Sequence, residues 1–158
     1  MSLAITYLST PLGWLRLEGE SMGLSRLDFV EGPSSDTINS ESLQRAIEQL
    51  NEYFEGTRKE FKLYLSPSGT HFQKNVWAAV SRIPYGATCS YEDIAKALGD
   101  IKVIRAAAAA NGRNPLPIVI PCHRIIGKDG SLTGYSGGLW RKKWLLELES
   151  REKQPTLW

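Results

Sequence analysis

The order of apolar and polar positions divides the chain into runs of two different periods. Short β-rich runs at Ala4–Leu8, Trp14–Leu17 and Leu24–Val30 are separated by turn signals at Pro11–Gly13 and Gly19–Gly23, which predicts a small antiparallel sheet. Glu31–Asn39 is a polar loop. From Ser40 the period becomes helical: Leu43, Ala46, Ile47, Leu50 and Phe54 share one face, and Gly56 stands where a helix stops. Phe61, Leu63 and Leu65 then alternate as a strand, and Ser66-Pro67-Ser68-Gly69 makes a boundary. These signals predict an α+β unit with no evident chemistry of its own.

Beyond the boundary the pattern is helical. Thr70 with Gln73 three residues on is a capping-box signature, and Phe72, Val76, Ala79, Val80 and Ile83 form a stripe that Pro84-Tyr85-Gly86 ends. Ser90 caps a short helix with Ile94, Ala95 and Leu98 facing inward, stopped by Gly99. Ile101–Asn111 is alanine-rich and helical by propensity, ending at Gly112. Two short helices around a glycine resemble a helix-turn-helix. In the second, Arg105 precedes an unbroken run from Ala106 to Ala110. Small side chains let neighbouring helices approach closely; they also let a helix enter a narrow groove with one basic side chain at its start. Spacing alone leaves both readings open. A major-groove reader needs several long polar side chains, so a groove reading favours the minor groove and low sequence specificity.

Composition narrows the class. With 158 residues, 42% hydrophobic and 23% charged, the chain suits one globular domain or two small ones. No run approaches the roughly 20 apolar residues of a membrane span, and MSLAITYLSTPLGW lacks a basic region followed by a long apolar core, so neither a membrane nor a secreted protein is expected. Two cysteines, Cys89 and Cys122, are too few for a disulfide scaffold and fit a reducing, cytoplasmic compartment. His71 and His123 are the only histidines, and no metal-ligand spacing exists, so no zinc site is expected. The net charge of +2 hides an asymmetry. Residues 1–65 hold 6 Lys+Arg against 10 Asp+Glu, whereas residues 66–158 hold 13 against 7. A basic second half fits a polyanionic partner, although a solvated basic face is the commoner explanation.

The chemistry concentrates in Asn114-Pro-Leu-Pro-Ile-Val-Ile-Pro-Cys-His-Arg124. Ile118-Val119-Ile120 reads as a short buried strand delivering Cys122, His123 and Arg124. A nearby imidazole and basic neighbours favour the thiolate, lowering the thiol below its free value of about 8.5. Adjacent residues in an extended chain face opposite sides, so contact between Cys122 and His123 needs a turn or a bridging water. Asp129, Glu147 and Glu149 are the downstream acids able to orient the histidine. Cys89, between Thr88 and Ser90, has no such company.

Ile120-Pro-Cys-His-Arg124, preceded by Arg113-Asn114-Pro115 and Pro117 and followed by Gly134-Tyr135-Ser136-Gly-Gly-Leu, resembles the active-site signature of the O6-alkylguanine-DNA alkyltransferases. The resemblance runs from about Gly69 to Glu149. It includes Phe72 with Val76-Trp77, Ile83-Pro84-Tyr85-Gly86, Ser90-Tyr91, Arg105 with its alanines, and Trp144-Leu145-Leu146. It implies an α+β protein: a small α/β, ribonuclease H-like domain with an antiparallel sheet over residues 1–66, and a helical, winged helix-turn-helix DNA-binding domain over 67–158.

The resemblance also implies roles. Cys122 accepts the alkyl group from O6 of alkylguanine, with O4 of alkylthymine a further candidate substrate. His123 is the base, through a bridging water, and Glu149 orients it. Tyr91 donates to guanine N3, and Asn114 holds the loop. Arg105 enters the stack where the flipped nucleotide has left, on a DNA-contacting surface that includes Ser90, Ala106, Ala109 and Arg124. Pro117, Tyr135, Ser136 and Asn111 line the alkyl and base pocket; Asn111 stands where relatives often carry a larger apolar residue. The implied enzyme is a stoichiometric S-methyltransferase without metal or organic cofactor. It acts as a monomer on the minor groove of duplex DNA, in the cytoplasm at the nucleoid, or in a nucleus.

Three other readings separate on sequence or on turnover. An alkyltransferase-like lesion binder lacks the acceptor cysteine, which is present here. A helix-turn-helix regulator needs base-reading side chains, which Ala106–Ala110 cannot supply. A thiol hydrolase using Cys122, His123 and Glu149 releases product over many turnovers. The tail Lys153–Trp158 carries no motif, and a frayed end with Trp158 is the expectation.

Overall fold

The computed structural model describes residues 3–151, and the chain divides after Ser68 into two compact units. The tail Lys153–Trp158 lies outside the described residues. No helix among the described residues is long and apolar enough to cross a membrane.

In the first unit, β1 (Ala4–Thr10), β2 (Gly13–Glu20) and β3 (Gly23–Val30) form an antiparallel meander in the order β1-β2-β3. Leu15, Leu17, Leu24 and Leu27 are buried, and α1 (Glu41–Glu55) packs against all three strands. Ser40 caps α1 by accepting from the Leu43 amide at 3.2 Å, and Gly56 ends it with φ +85°. The buried face of α1 runs through Leu43, Ala46, Leu50 and Tyr53, while Phe54 is only half-buried.

The strand expected over Phe61–Leu65 does not form as such. Its alternation survives as half-buried odd positions, but its sheet pairing is a single parallel bridge between Leu24 and Leu65. The reason lies in Gln49 of α1. Its side chain accepts from the Lys62 amide (2.8 Å) and donates to the Lys62 carbonyl (3.1 Å), so a side chain takes the backbone groups a neighbouring strand would use.

The second unit holds α2 (His71–Val80), α3 (Tyr91–Ala97), α4 (Ile104–Gly112) and α5 (Leu139–Ser150). Reciprocal capping boxes start α2 (Thr70 with Gln73) and α3 (Ser90 with Asp93). Ile83, the last residue of the expected stripe, lies beyond α2 yet stays buried. One 3-10 turn, Ile101–Val103, capped by Asp100, precedes α4, which therefore starts three residues later than its alanine content predicts. The helix-turn-helix of α3 and α4 packs on α2. Extended structure in this unit is limited, among the described residues, to the isolated bridges Cys89–Ile125 and Pro117–Ile120.

That second bridge overturns the buried strand expected at Ile118-Val119-Ile120. The segment is a tight turn: the Ile120 amide donates to the Leu116 carbonyl at 2.8 Å, and Ile118 has φ +77°. A β-branched side chain rarely adopts this conformation. All three residues are buried, so apolar content alone could not distinguish a strand from a turn folded into the core.

Gly23 opens β3 with φ +133°, and a Cβ there would lie 2.3 Å from the Tyr64 carbonyl oxygen. Gly23→Ala is expected to lower stability by about 2 kcal/mol or more, read from urea midpoints; an unchanged midpoint would refute this reading of the β3 start.

Candidate active site and nucleic-acid interface

The alanine-rich helix presents two different faces, one packed and one exposed. Ala107 and Ala110 are buried, and Trp77 on α2 donates its indole N–H to the Ala110 carbonyl at 2.8 Å, so this face is packing. Arg105, Ala106 and Ala109 are exposed, a low surface with one cation at its start. Ser90, half-buried at the start of α3, has its hydroxyl accepting from the Asp93 amide at 3.2 Å.

Past α4 the chain turns into the candidate site. Asn114 closes the turn from both sides: its Nδ2 donates to the Ile120 carbonyl and its Oδ1 accepts from the Leu116 amide, each at 2.8 Å. Pro117 is buried inside that turn. The Cys122 amide donates to the Ile120 carbonyl at 2.7 Å, and Cys122–Arg124 is one 3-10 turn rather than extended chain. At about three residues per turn the three side chains leave in different directions.

The Cys122 side chain is shut off from solvent. Cys122 is 5% exposed, and burial pushes its thiol up to about 11, with a hydrogen bond from Asn114 and the positive charge of Lys142 acting the other way. The expectation of a thiol lowered by its histidine is therefore overturned. Desolvation outweighs every favourable partner, because the thiolate would lose its water.

His123 and Arg124 both reach a single carboxylate on α5. His123 Nε2 lies 2.7 Å from Glu149 Oε2. Arg124 donates from Nε to Glu149 Oε1 (2.8 Å) and from Nη2 to Oε2 (3.1 Å), and from Nη1 to the Ile83 carbonyl (2.6 Å). Of the three acids open on sequence, the one at the histidine is Glu149; Glu147 sits 4.0 Å from Lys143 on the surface, and Asp129 accepts from the Ser131 amide. Burial would raise the Glu149 carboxyl, but His123 and Arg124 hold it down to about 2. Burial lowers His123 below its ordinary value despite Glu149. The pair is therefore a carboxylate accepting from the Nε2–H of a neutral imidazole, which leaves Nδ1 as the basic nitrogen. Arg124, expected at the DNA surface, is 6% exposed with its guanidinium spent on Glu149 and Ile83. Its place is inside the site.

Two further groups complete the surroundings of Cys122. Tyr91, the first residue of α3, is half-buried, and its hydroxyl accepts from Asn111 Nδ2 at 3.1 Å. Burial pushes its phenol up, Asn111 counters this, and negative charge at Cys122 adds to it. Tyr135 is pushed well up by burial and by the charge at Cys122, while Ser136 beside it is exposed. Among the described residues, the buried side-chain polar atoms with no hydrogen-bond partner are Asn111 Oδ1, His123 Nδ1 and Tyr135 Oη. Buried polar groups are normally paired. That all three orphans belong to residues singled out on sequence argues for an unfilled chemical task at this place.

Sequence reasoning missed Lys142. This α5 side chain is fully buried, and its ammonium donates to the carbonyls of Ile125 and Thr133, both at 2.6 Å, and of Gly134 at 3.3 Å. It ties α5 to the loop that carries Tyr135 and Ser136 and places a positive charge near the Cys122 sulfur. A signal was present: Lys142, Leu145 and Leu148 recur every third residue, so the lysine occupies a core position of its helix.

Residues 71–151 match the family model described as the DNA-binding domain of 6-O-methylguanine DNA methyltransferase, and residues 3–67 match its ribonuclease-like domain. A methylated-DNA–protein-cysteine methyltransferase of Methanosarcina barkeri is 45% identical over 148 residues, which is 90% of this chain and 94% of that one. The constitutive enzyme of the same name from Bacillus subtilis is 47% identical, covering 91% and 93%. Among solved structures, Mycobacterium tuberculosis OGT in complex with DNA superposes with a TM-score of 0.84 at 43% identity, covering 95% of this chain and 94% of that one.

The buried triplet has a pH signature. Both His123 and Glu149 have folded values below their ordinary ones, so on acidification the unfolded chain takes up protons that the folded chain refuses. Stability is expected to be full above about pH 7, to fall as pH drops below about 6.5, and to fall further below about 4.5. Urea midpoints across this range check it; a midpoint unchanged from pH 7.5 to pH 4 would count against the arrangement.

Proposed function

We propose how this chain, which belongs to the 6-O-methylguanine DNA methyltransferase family, carries out its repair reaction. The protein is a DNA-binding methyltransferase of direct-reversal repair that moves an alkyl group from damaged DNA onto its own cysteine. The residue-level account rests on one observation above the others: a buried thiol in the Pro-Cys-His-Arg turn, next to a neutral histidine whose Nε2 is held by a carboxylate.

Cys122 is the acceptor. It rests protonated because burial holds its thiol at about 11, so its proton leaves only as the reaction proceeds. His123 Nδ1, buried without a partner among the described residues, receives that proton through an intervening water. Sulfur attacks the alkyl carbon on O6 of guanine; the S–C bond forms, the C–O6 bond breaks, and the electron pair passes to the base. Tyr91 supplies a proton to guanine N3, so that neutral guanine leaves. His123 then releases its proton and Tyr91 regains one through solvent, so the net exchange is one alkyl group for one thiol proton. Glu149 orients His123 and balances its charge, Arg124 fixes Glu149, and Asn114 holds the turn and stabilises developing charge on sulfur. Asn111, Pro117, Tyr135 and Ser136 line the pocket that receives the base. Since a thioether is a poor leaving group, each molecule reacts once.

O6 lies within the base stack, so the nucleotide must be extruded, at a cost of a few kcal/mol. The exposed alanines of α4 fit the minor groove without reading sequence, and Arg105 fills the place left in the stack. Ser90 at the start of α3 meets the same DNA. The chain works as a monomer, in the compartment that holds the DNA, with residues 67–158 carrying the chemistry and residues 1–66 supporting it.

Incubation with O6-methylguanine DNA is expected to add one methyl to each molecule, on the Cys122 peptide, by intact-mass and peptide mass spectrometry. Cys122→Ala should take up none while still binding the duplex; methyl on the variant protein would defeat the assignment. Arg105→Ala is expected to slow repair of duplex DNA about tenfold or more, yet to leave the reaction with free O6-benzylguanine nearly unchanged. Equal losses on the two substrates, measured as single-turnover rates, would remove the stack-filling role.

A further inference from the structure

We propose that Asn111 is the positioning residue for the proton that Tyr91 gives to the base. Its amide takes up one lone pair of the phenol oxygen and so aims the phenol hydrogen into the pocket. This inference rests on the alkyl-transfer reading above.

The observation is a hydrogen bond with a definite sense. Asn111 lies at the C-terminal end of α4, 7% exposed, and Tyr91 begins α3, twenty residues earlier in the chain. The two helices pack on each other, and Asn111 Nδ2 lies 3.1 Å from Tyr91 Oη. A phenol oxygen carries one hydrogen and two lone pairs. When it accepts from an amide, its own hydrogen is excluded from that direction and must find another acceptor. Among the described residues Tyr91 Oη donates to no protein group, and Cys122 lies close enough to act on it electrostatically, so the phenol hydrogen remains available to a bound base.

The other end of the amide supports this. Asn111 Oδ1 is buried with no partner, so the bond to Tyr91 is the one hydrogen bond of this side chain among the described residues. A carboxamide that fixed the helix end would spend its oxygen as well as its nitrogen. An apolar side chain of similar length would fill the same space without leaving an orphan oxygen, and burying one carries a cost. What the amide adds over an apolar residue is therefore the orientation of the phenol. It also favours the phenolate that forms once the proton has been given up, because an N–H donor stabilises the negative oxygen.

The test uses the full chain, saturating over substrate, in single-turnover reactions with two duplexes. One carries O6-methylguanine; the other carries its 3-deaza analogue, in which N3 is replaced by C–H and no proton can be received there. Asn111→Leu keeps the branched arrangement of heavy atoms and removes the donor. Asn111→Asp keeps the shape but offers only acceptors, which would pull the phenol hydrogen away from the pocket. With O6-methylguanine, Asn111→Leu is expected to be about three- to tenfold slower than the parent protein, the worth of one hydrogen bond, and Asn111→Asp slower still. With the 3-deaza analogue, the Leu variant should match the parent protein. Equal slowing of Asn111→Leu on both duplexes, as a merely structural or packing role would give, or no slowing on either, overturns the proposal. A parent protein that takes up no methyl from O6-methylguanine would instead overturn the alkyl-transfer reading, and this inference with it.

Discussion

The second unit depends on one carboxylate. Glu149 is 1% exposed and meets two basic side chains from a single 3-10 turn, His123 at 2.7 Å and Arg124 at 2.8 Å. A buried ion in a protein costs several kcal/mol in lost hydration and is tolerated only when its hydrogen bonds are filled. Here both carboxylate oxygens are filled, and Arg124 spends its remaining reach on the Ile83 carbonyl just after α2. The same contacts that make the charge tolerable thus place the cysteine turn between α2 and α5 and give the imidazole one tautomer. Because Arg124 supplies the full positive charge, His123 can stay neutral without leaving Glu149 uncompensated.

The resting site is correspondingly quiet. A thiol held at about 11 by burial is a weak nucleophile toward solvent molecules and oxidants. The groups that favour the thiolate, Asn114 and Lys142, are in place but insufficient alone. On the mechanism proposed above, reactivity awaits a base in the pocket, which both excludes water and provides the route by which charge leaves. For a nucleophile used once, this order of events protects it from waste.

Local signals were legible in the sequence. The two capping boxes, the Ser40 and Gly56 limits of α1 and the three strands all follow from contacts within a few residues, which a linear pattern records. Long-range pairings decided the rest. Arg124 reads as a surface cation until Glu149, far along the chain, takes it inside. Ile118–Ile120 reads as a strand because apolar content does not report φ, and a turn buried on all sides looks the same. The segment around Leu63 alternates like a strand, yet Gln49 answers its backbone. Cys122, His123 and Glu149 were singled out in the sequence; His123 and Glu149 meet at 2.7 Å, and Cys122 shares the turn that carries the histidine. That Asn111 touches Tyr91, and that Lys142 is a core residue, depend on how α3, α4 and α5 are arranged, which no periodicity carries.

Lys142 and Glu149 come after every other member of the site in chain order. The carbonyls that the Lys142 ammonium gathers, and the imidazole that Glu149 steers, are already synthesised before either partner exists. During synthesis on the ribosome the acceptor turn is thus made without its charge partners, and it meets them only when α5 docks. On the mechanism proposed above, the alkyl transfer therefore cannot begin in a half-made chain.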